Sequence, residues 1–183
     1  KLNDQLRSIN VRLLVIRGNH DDPSHFTGSF CFSHLELLPD YTHRKIGRIR
    51  FLFVGGAVSV DRAGRIAEAD KRAIRGKSPK PFYWPDEKFV LREGLAHRAD
   101  VLVTHSSPIW VGPAEKIGIA EYCKEDESLW YECMAERLNI GALTQRVKPL
   151  KAFSGHFHKY YNEKHGVTDW TILGIMEIKQ PRM

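Results

Sequence analysis

The chain has 183 residues, of which 42% are hydrophobic and 27% charged. That suits one domain with a substantial core and excludes a disordered or low-complexity polypeptide. A formal net charge of +6 permits nucleic acid as a partner without requiring it. No apolar run reaches the roughly 18 residues of a membrane span. The cysteines, Cys31, Cys123 and Cys133, show no CxxC spacing, which argues against a disulfide framework or a zinc ribbon and makes a reducing, cytoplasmic setting the expectation.

In chain order, Leu2, Leu6 and Ile9 share one face at helical spacing, so residues 2–9 read as helix. Residues 12–16 form a short apolar run and read as a buried strand, which Gly18 breaks. A polar loop follows: Asn19, His20, Asp21, Asp22. Residues 35–38 and 41–46 are extended segments separated by Pro39-Asp40. Residues 48–54 form a strand ended by Gly55-Gly56, a pair that marks a turn or a close backbone approach. Residues 67–75 are expected to be helical within an otherwise irregular stretch. Pro85 followed by Asp86 and Glu87 predicts a helix start, with the helix running to about residue 97. Residues 100–104 read as a second buried strand. Residues 127–147 read as one long helix or as two broken near Gly141. A third buried strand covers residues 150–153. Residues 159–162 and 170–176 form an antiparallel pair joined around Gly166. The pattern predicts an α/β layered protein with a mixed sheet or two sheets.

Lys71, Arg72, Arg75, Lys77 and Lys80 precede the aromatics Phe82, Tyr83 and Trp84. Such a grouping suits a phosphate-bearing or single-stranded ligand, and equally a solvated helix end. Loops 26–39 and 111–124 are expected to shape a pocket.

The three apolar strands each deliver metal-capable groups at their ends: Asn19, His20 and Asp21 on the first, His105 on the second, His156 and His158 on the third. Strand alternation would turn His156 and His158 to the same side, and Gly155 would clear room beside them. Imidazole with amide or carboxylate oxygen suits a divalent first-row metal such as Mn, Fe, Co, Ni or Zn. Two such ions can clamp a phosphate and activate water, with a neighbouring histidine protonating the leaving oxygen.

Gly18-Asn19-His20-Asp21, Thr104-His105 and Gly155-His156-Phe157-His158 together resemble the calcineurin-like metallophosphoesterase family. Gly55-Gly56-Ala57 with Asp61-Arg62, and Trp84-Pro85-Asp86-Glu87, resemble segments of its small prokaryotic and phage members. The resemblance implies an αββα sandwich of two mixed sheets flanked by helices, forming a single domain over residues 1–183. It implies that Asn19, His105 and His156 ligate one metal and His158 the other. His20 would be the proton donor, oriented by Asp21, and the substrate a phosphomonoester or phosphodiester.

The family's Asp-x-His and Gly-Asp-x-x-Asp motifs belong before the Asn-His-Asp loop, and the 17 residues before Gly18 contain neither. Lys1 stands where an initiator methionine would. The leading expectation is a longer polypeptide carrying a two-ion site, of which these residues alone would hold one ion or none. The other is a shortened, metal-poor scaffold or binding module whose exposed sheet edge a second copy covers. Hydrolysis of carboxyl esters at the same metal site is a third reading.

Overall fold

The computed structural model describes residues 1–77, 83–113 and 118–179. It is a mixed α/β protein with a six-stranded mixed sheet, a separate two-stranded sheet and helices. The chain runs α1 (Leu2–Ser8), β1 (Leu13–Val15), β2 (Leu35–Leu37), β3 (Thr42–Ile46), β4 (Ile49–Val54), α2 (Arg62–Ile74), β5 (Val101–Thr104), α3 (Ile119–Tyr122), α4 (Ser128–Val147), β6 (Lys151–Ser154), β7 (Tyr161–His165) and β8 (Thr168–Ile172). No helix among the described residues is long and apolar enough to cross a membrane.

The large sheet has the order β3-β4-β5-β6-β8-β7. Its four middle strands are parallel, and the outer β3 and β7 are antiparallel hairpin partners of β4 and β8. Sequence and position agree. The inner strands carry apolar runs because both faces are covered. The outer strands, THRKI and YNEKH, are mostly exposed and carry Lys45 and Lys164, charges that discourage edge-to-edge pairing. The small sheet is a parallel β1–β2 pair, with an isolated antiparallel bridge between Cys31 and Glu36.

Leu52, Val54, Leu102, Ala152, Trp170 and Ile172 from the sheet meet Ile140, Leu143 and Val147 from α4 in one buried cluster. The α4 positions recur at helical spacing, so one stripe of the helix is buried. The helix passes Gly141 unbroken. Gly141 is buried beside Trp110 Nε1 and Pro108, where even an added Cβ would have ordinary contacts. The glycine costs about 1 kcal/mol of helix propensity, and burial of the stripe outweighs it. Lys148 ends the helix in a left-handed conformation, its N–H bonded to Thr144 O.

The expected helix from Pro85 does not form. Only a 3₁₀ turn, Glu93–Leu95, lies in that stretch. The reason is tertiary. Arg17, 5% exposed, donates to the carbonyls of Asp86, Glu87 and Lys88 at 3.3, 2.5 and 3.0 Å. Ala57 N–H also donates to Glu87 O, and Tyr41 Oη donates to Val90 O while accepting Arg92 N–H. Carbonyls engaged in this way are lost to an i→i+4 helical ladder, so the segment lies open along the core. The helix expected at residues 67–75 begins earlier, at Arg62. Arg62 is pinned there by Asp126, Ser128 and Glu132.

Candidate metal centre

The four parallel strands end on one side of the sheet, with Val54 beside Thr104 and Ser154 beside Ile172. Open α/β sheets place ligands at such carboxyl ends. The loop after β1 is drawn to the same place. Gly56 N–H donates to Arg17 O at 3.0 Å, and a Cβ on Gly55 would stand 2.7 Å from that oxygen and 2.5 Å from Arg17 Cγ. Only glycine allows this approach, which is what the Gly55-Gly56 pair signals. Arg17 is fixed by Asp40 at 2.7 Å, and Asp40 also accepts Gly55 N–H. The chain thus leaves β1 on a rigid path that ends at Asn19, which is 3% exposed.

The loops after β5 and β6 are joined in the same manner, by Gly155 N–H to His105 O at 3.0 Å. His105 is half-buried and His156 is buried. Asn19 Oδ1 lies 3.0 Å from His105 Nε2 and 3.3 Å from His156 Nδ1, and the two rings meet edge-on with centroids 5.1 Å apart. Three strand ends therefore bring one amide oxygen and two imidazole nitrogens to one point. Donor atoms about 2.0–2.2 Å from a single ion stand about 2.8–3.1 Å apart along an octahedral edge and about 3.3–3.6 Å apart along a tetrahedral one. The two measured separations fall one in each range, and the donor types suit a borderline first-row metal. All three donors are neutral. Among the described residues, no group of three or more His, Cys, Asp or Glu side chains could hold a metal ion.

His158 is not gathered with these three. It is exposed, and β6 has ended at Ser154. His156 and His158 both have left-handed backbones, φ 67° and 59°, and Phe157 N–H turns back to Gly155 O at 2.8 Å. Alternation holds only for extended chain, so the expectation that both histidines face one way fails here. The room attributed to Gly155 is not needed either, because an added Cβ there would meet nothing within 4 Å. The close approach is at Gly18, where a Cβ would sit 2.9 Å from His105 Cε1. His20 and Asp21 are exposed. Asp21 Oδ2 accepts Gly18 N–H at 2.7 Å and so ties the turn that carries His20. Asp22 caps the short 3₁₀ helix Pro23–Phe26, and its hydrogen bonds to Ser24 hold its carboxyl below the usual range.

Three residues behind Asn19 had no assigned role in the sequence reading. Ser59 Oγ accepts Asn19 Nδ2 at 3.0 Å and donates to Asn19 O at 2.9 Å. Arg65 Nη1 donates to Ser59 Oγ at 2.6 Å and to Asn19 O at 3.1 Å. Glu87 is wholly buried, and neither of its oxygens makes a hydrogen bond. Burial pushes its carboxyl up, with nearby Ser59 and Arg65 opposing in part; Arg65 Nη1 is 3.6 Å away. The sequence signals were faint: one polar residue between Val58 and Val60, and a carboxylate inside Trp84-Pro85-Asp86-Glu87.

Of the basic and aromatic grouping, Tyr83 lies under the Arg65 guanidinium at 5.9 Å, whereas Lys80 and Phe82 fall outside the described residues. Loop 26–39 contributes Phe26 and Pro39 to a cleft of about 450 Å³ beside Arg17, Pro85 and Phe89. Part of loop 111–124 lies outside the described residues. When the chain is compared with known proteins, no family model matches it and no curated protein does.

Proposed function

We propose that the chain carries part of a metal-dependent phosphoesterase site, in which Asn19, His105 and His156 hold a divalent first-row metal. The observation that carries this reading is the meeting of Asn19 Oδ1 with both imidazole nitrogens at 3.0 and 3.3 Å. When bound, such an ion supplies Lewis acidity that polarises a phosphoryl oxygen and activates water. The chain's own residues would do the rest. Asn19 and the two histidines are buried or half-buried, and Ser59 holds the Asn19 amide from behind. His20 is exposed at the rim on a turn held by Asp21, and it would pass a proton to the leaving oxygen. His158 would serve a second ion, together with ligands from outside the described residues. In the same reading, the two sheets and their helices are layers of an αββα sandwich. Support comes from β1 and β2 forming a sheet of their own whose outgoing loop meets the ends of β5 and β6. A second copy would cover the edge of β1, where Val11 and Leu13 are exposed.

The test is turnover of an aryl phosphodiester and an aryl phosphomonoester with added manganese, run beside an aryl acetate. Expected are metal-dependent turnover of a phosphate ester and a loss of roughly 10²–10⁴-fold in His20→Ala. Unchanged turnover in that variant would remove His20 from the chemistry, and faster acetate turnover would favour the carboxylesterase reading.

One observation favours a second reading, a scaffold without metal. With both imidazoles donating, Asn19 Oδ1 is satisfied by two hydrogen bonds within the cluster. Calorimetric titration with Mn²⁺, Co²⁺ and Zn²⁺ separates the two, because the scaffold shows no binding at micromolar metal.

A further inference from the structure

We infer that Ser59 and Arg65 set the orientation of the Asn19 side-chain amide, so that its oxygen and not its nitrogen faces His105 and His156. The consequence for metal binding rests on the reading proposed above; the orientation itself rests on hydrogen-bond geometry.

The two ends of an asparagine amide have nearly the same shape, so sterics alone do not choose between them. The choice falls to hydrogen-bond partners, and here they favour one orientation. A serine hydroxyl has one proton and two lone pairs. The Ser59 proton goes to Asn19 O at 2.9 Å. Arg65 Nη1, which can only donate, occupies one lone pair at 2.6 Å. What Ser59 offers the Asn19 side chain is the remaining lone pair, so that contact requires a donor, and Nδ2 supplies it at 3.0 Å. A flipped amide would set its oxygen against Ser59 Oγ, which could meet it only by turning its proton away from Asn19 O, leaving that carbonyl to Arg65 alone. It would also aim two N–H bonds at the point where His105 and His156 converge.

Water cannot relieve that mismatch, because Ser59 is 1% exposed and Asn19 is 3% exposed. Arg65 also donates to Asn19 O at 3.1 Å, which keeps the Ser59 and Asn19 backbones in register. Its charge is offset by Glu87 at 3.6 Å and Asp61 at 3.7 Å. Ser59 is thus a positioning residue for Asn19, and Arg65 holds Ser59 in the accepting role.

The test compares Ser59→Ala in two backgrounds. In the native background it frees the amide to turn, and Mn²⁺ affinity measured by calorimetry should fall about 10–100-fold, as for other groups that orient a metal ligand. In an Asn19→Asp background either carboxylate oxygen can face the histidines, so the same substitution should change affinity less than about threefold. Equal losses in both backgrounds would mean that Ser59 acts only through general stability, and would overturn the inference. The native chain gives an independent readout by NMR. Cross-peaks are expected from the Asn19 Nδ2 protons to the Ser59 β-protons. Their absence overturns the inference even if Ser59→Ala fails to fold. If the native chain takes up no Mn²⁺, the metal reading fails while the cross-peaks still decide the orientation.

Discussion

Gly18→Ala isolates the packing that brings His105 to Asn19. Gly18 does not have a positive φ, so alanine meets no backbone strain there and acts by volume alone. The added Cβ would stand 2.9, 3.1 and 3.3 Å from Cε1, Nε2 and Nδ1 of His105, whereas carbon atoms rest at about 3.5–4.0 Å. The ring must retreat by about 0.6 Å or more to restore contact distance. Its Nε2 is now 3.0 Å from Asn19 Oδ1, and a retreat of that size takes the contact to the edge of hydrogen-bonding range. Losing that bond costs about 1 kcal/mol, and the overpacking adds about 1–3 kcal/mol. The expected destabilisation is therefore about 2–4 kcal/mol, read from the urea midpoint, together with weaker Mn²⁺ binding by calorimetry. Gly155→Ala is the control: its Cβ meets nothing within 4 Å, and stability should change by less than about 1 kcal/mol. A Gly18→Ala protein that unfolds at the native urea concentration would refute the packing argument.

Arg17→Met leaves Asp40 without its guanidinium and removes a donor from the carbonyls of Asp86, Glu87 and Lys88, of which Glu87 O keeps Ala57 N–H; removing one partner of so buried a pair should cost about 3–5 kcal/mol in chemical denaturation. Arg62→Met tests the cluster that starts α2. Hydrogen bonds from Arg62 hold the carboxyls of Asp126 and Glu132 down to about 2, from ordinary values of 3.8 and 4.5. Depressed carboxyls contribute stability above their unfolded pKa and lose it as pH falls through the folded one. The Arg62→Met deficit should thus be full at pH 7, begin to shrink below about pH 4.5 and vanish near pH 2. Its size, discounted for partial exposure, is about 1–2 kcal/mol, and a pH-independent deficit would contradict the ion-pair account. His158→Gly relieves a left-handed backbone on an exposed side chain, so urea denaturation should show a gain of up to about 1 kcal/mol. Metal-dependent hydrolysis should fall at the same time if His158 serves the chemistry.

The strands were legible because VLVT, KAFS and IRFLFV have short apolar runs with turn residues at their ends, and the large sheet buries those runs. The meeting of His105 and His156 followed from the same signal, since parallel neighbours in register deliver their next residues to one edge, whereas Asn19 arrives from the separate β1–β2 sheet through the contact of Gly56 N–H with Arg17 O. What failed depended on distant partners. Pro85-Asp86-Glu87 has the local chemistry of a helix start, but Arg17, some 70 positions earlier, takes the carbonyls a helix would use. No local pattern encodes that competition. Ser59 was hidden for a similar reason, being a single serine whose partners lie 40 and 6 positions away.

The backbone after β6 shows what the arrangement of donors demands. A strand continuing past Ser154 would place His156 and His158 on one face. The chain instead turns at Gly155, and His156 and His158 each take a left-handed conformation that costs about 1–3 kcal/mol. Phe157 between them is 5% exposed, with its ring 5.4 Å from that of His156 and 5.0 Å from the Arg137 guanidinium. Burying a phenylalanine contributes about 1.5–3 kcal/mol, enough to offset much of that strain. Arg137 is itself held by the carbonyls of Pro108, Val111 and Pro113, so α4 and the loop after β5 anchor the turn. The position of His156 is therefore set by α4 and the β5 loop as well as by its own strand. A loop that needed only to connect β6 to β7 would not need two strained histidines around a buried ring. On the metal reading proposed above, gathering donors from separate strand ends at one point would account for the strain at His156.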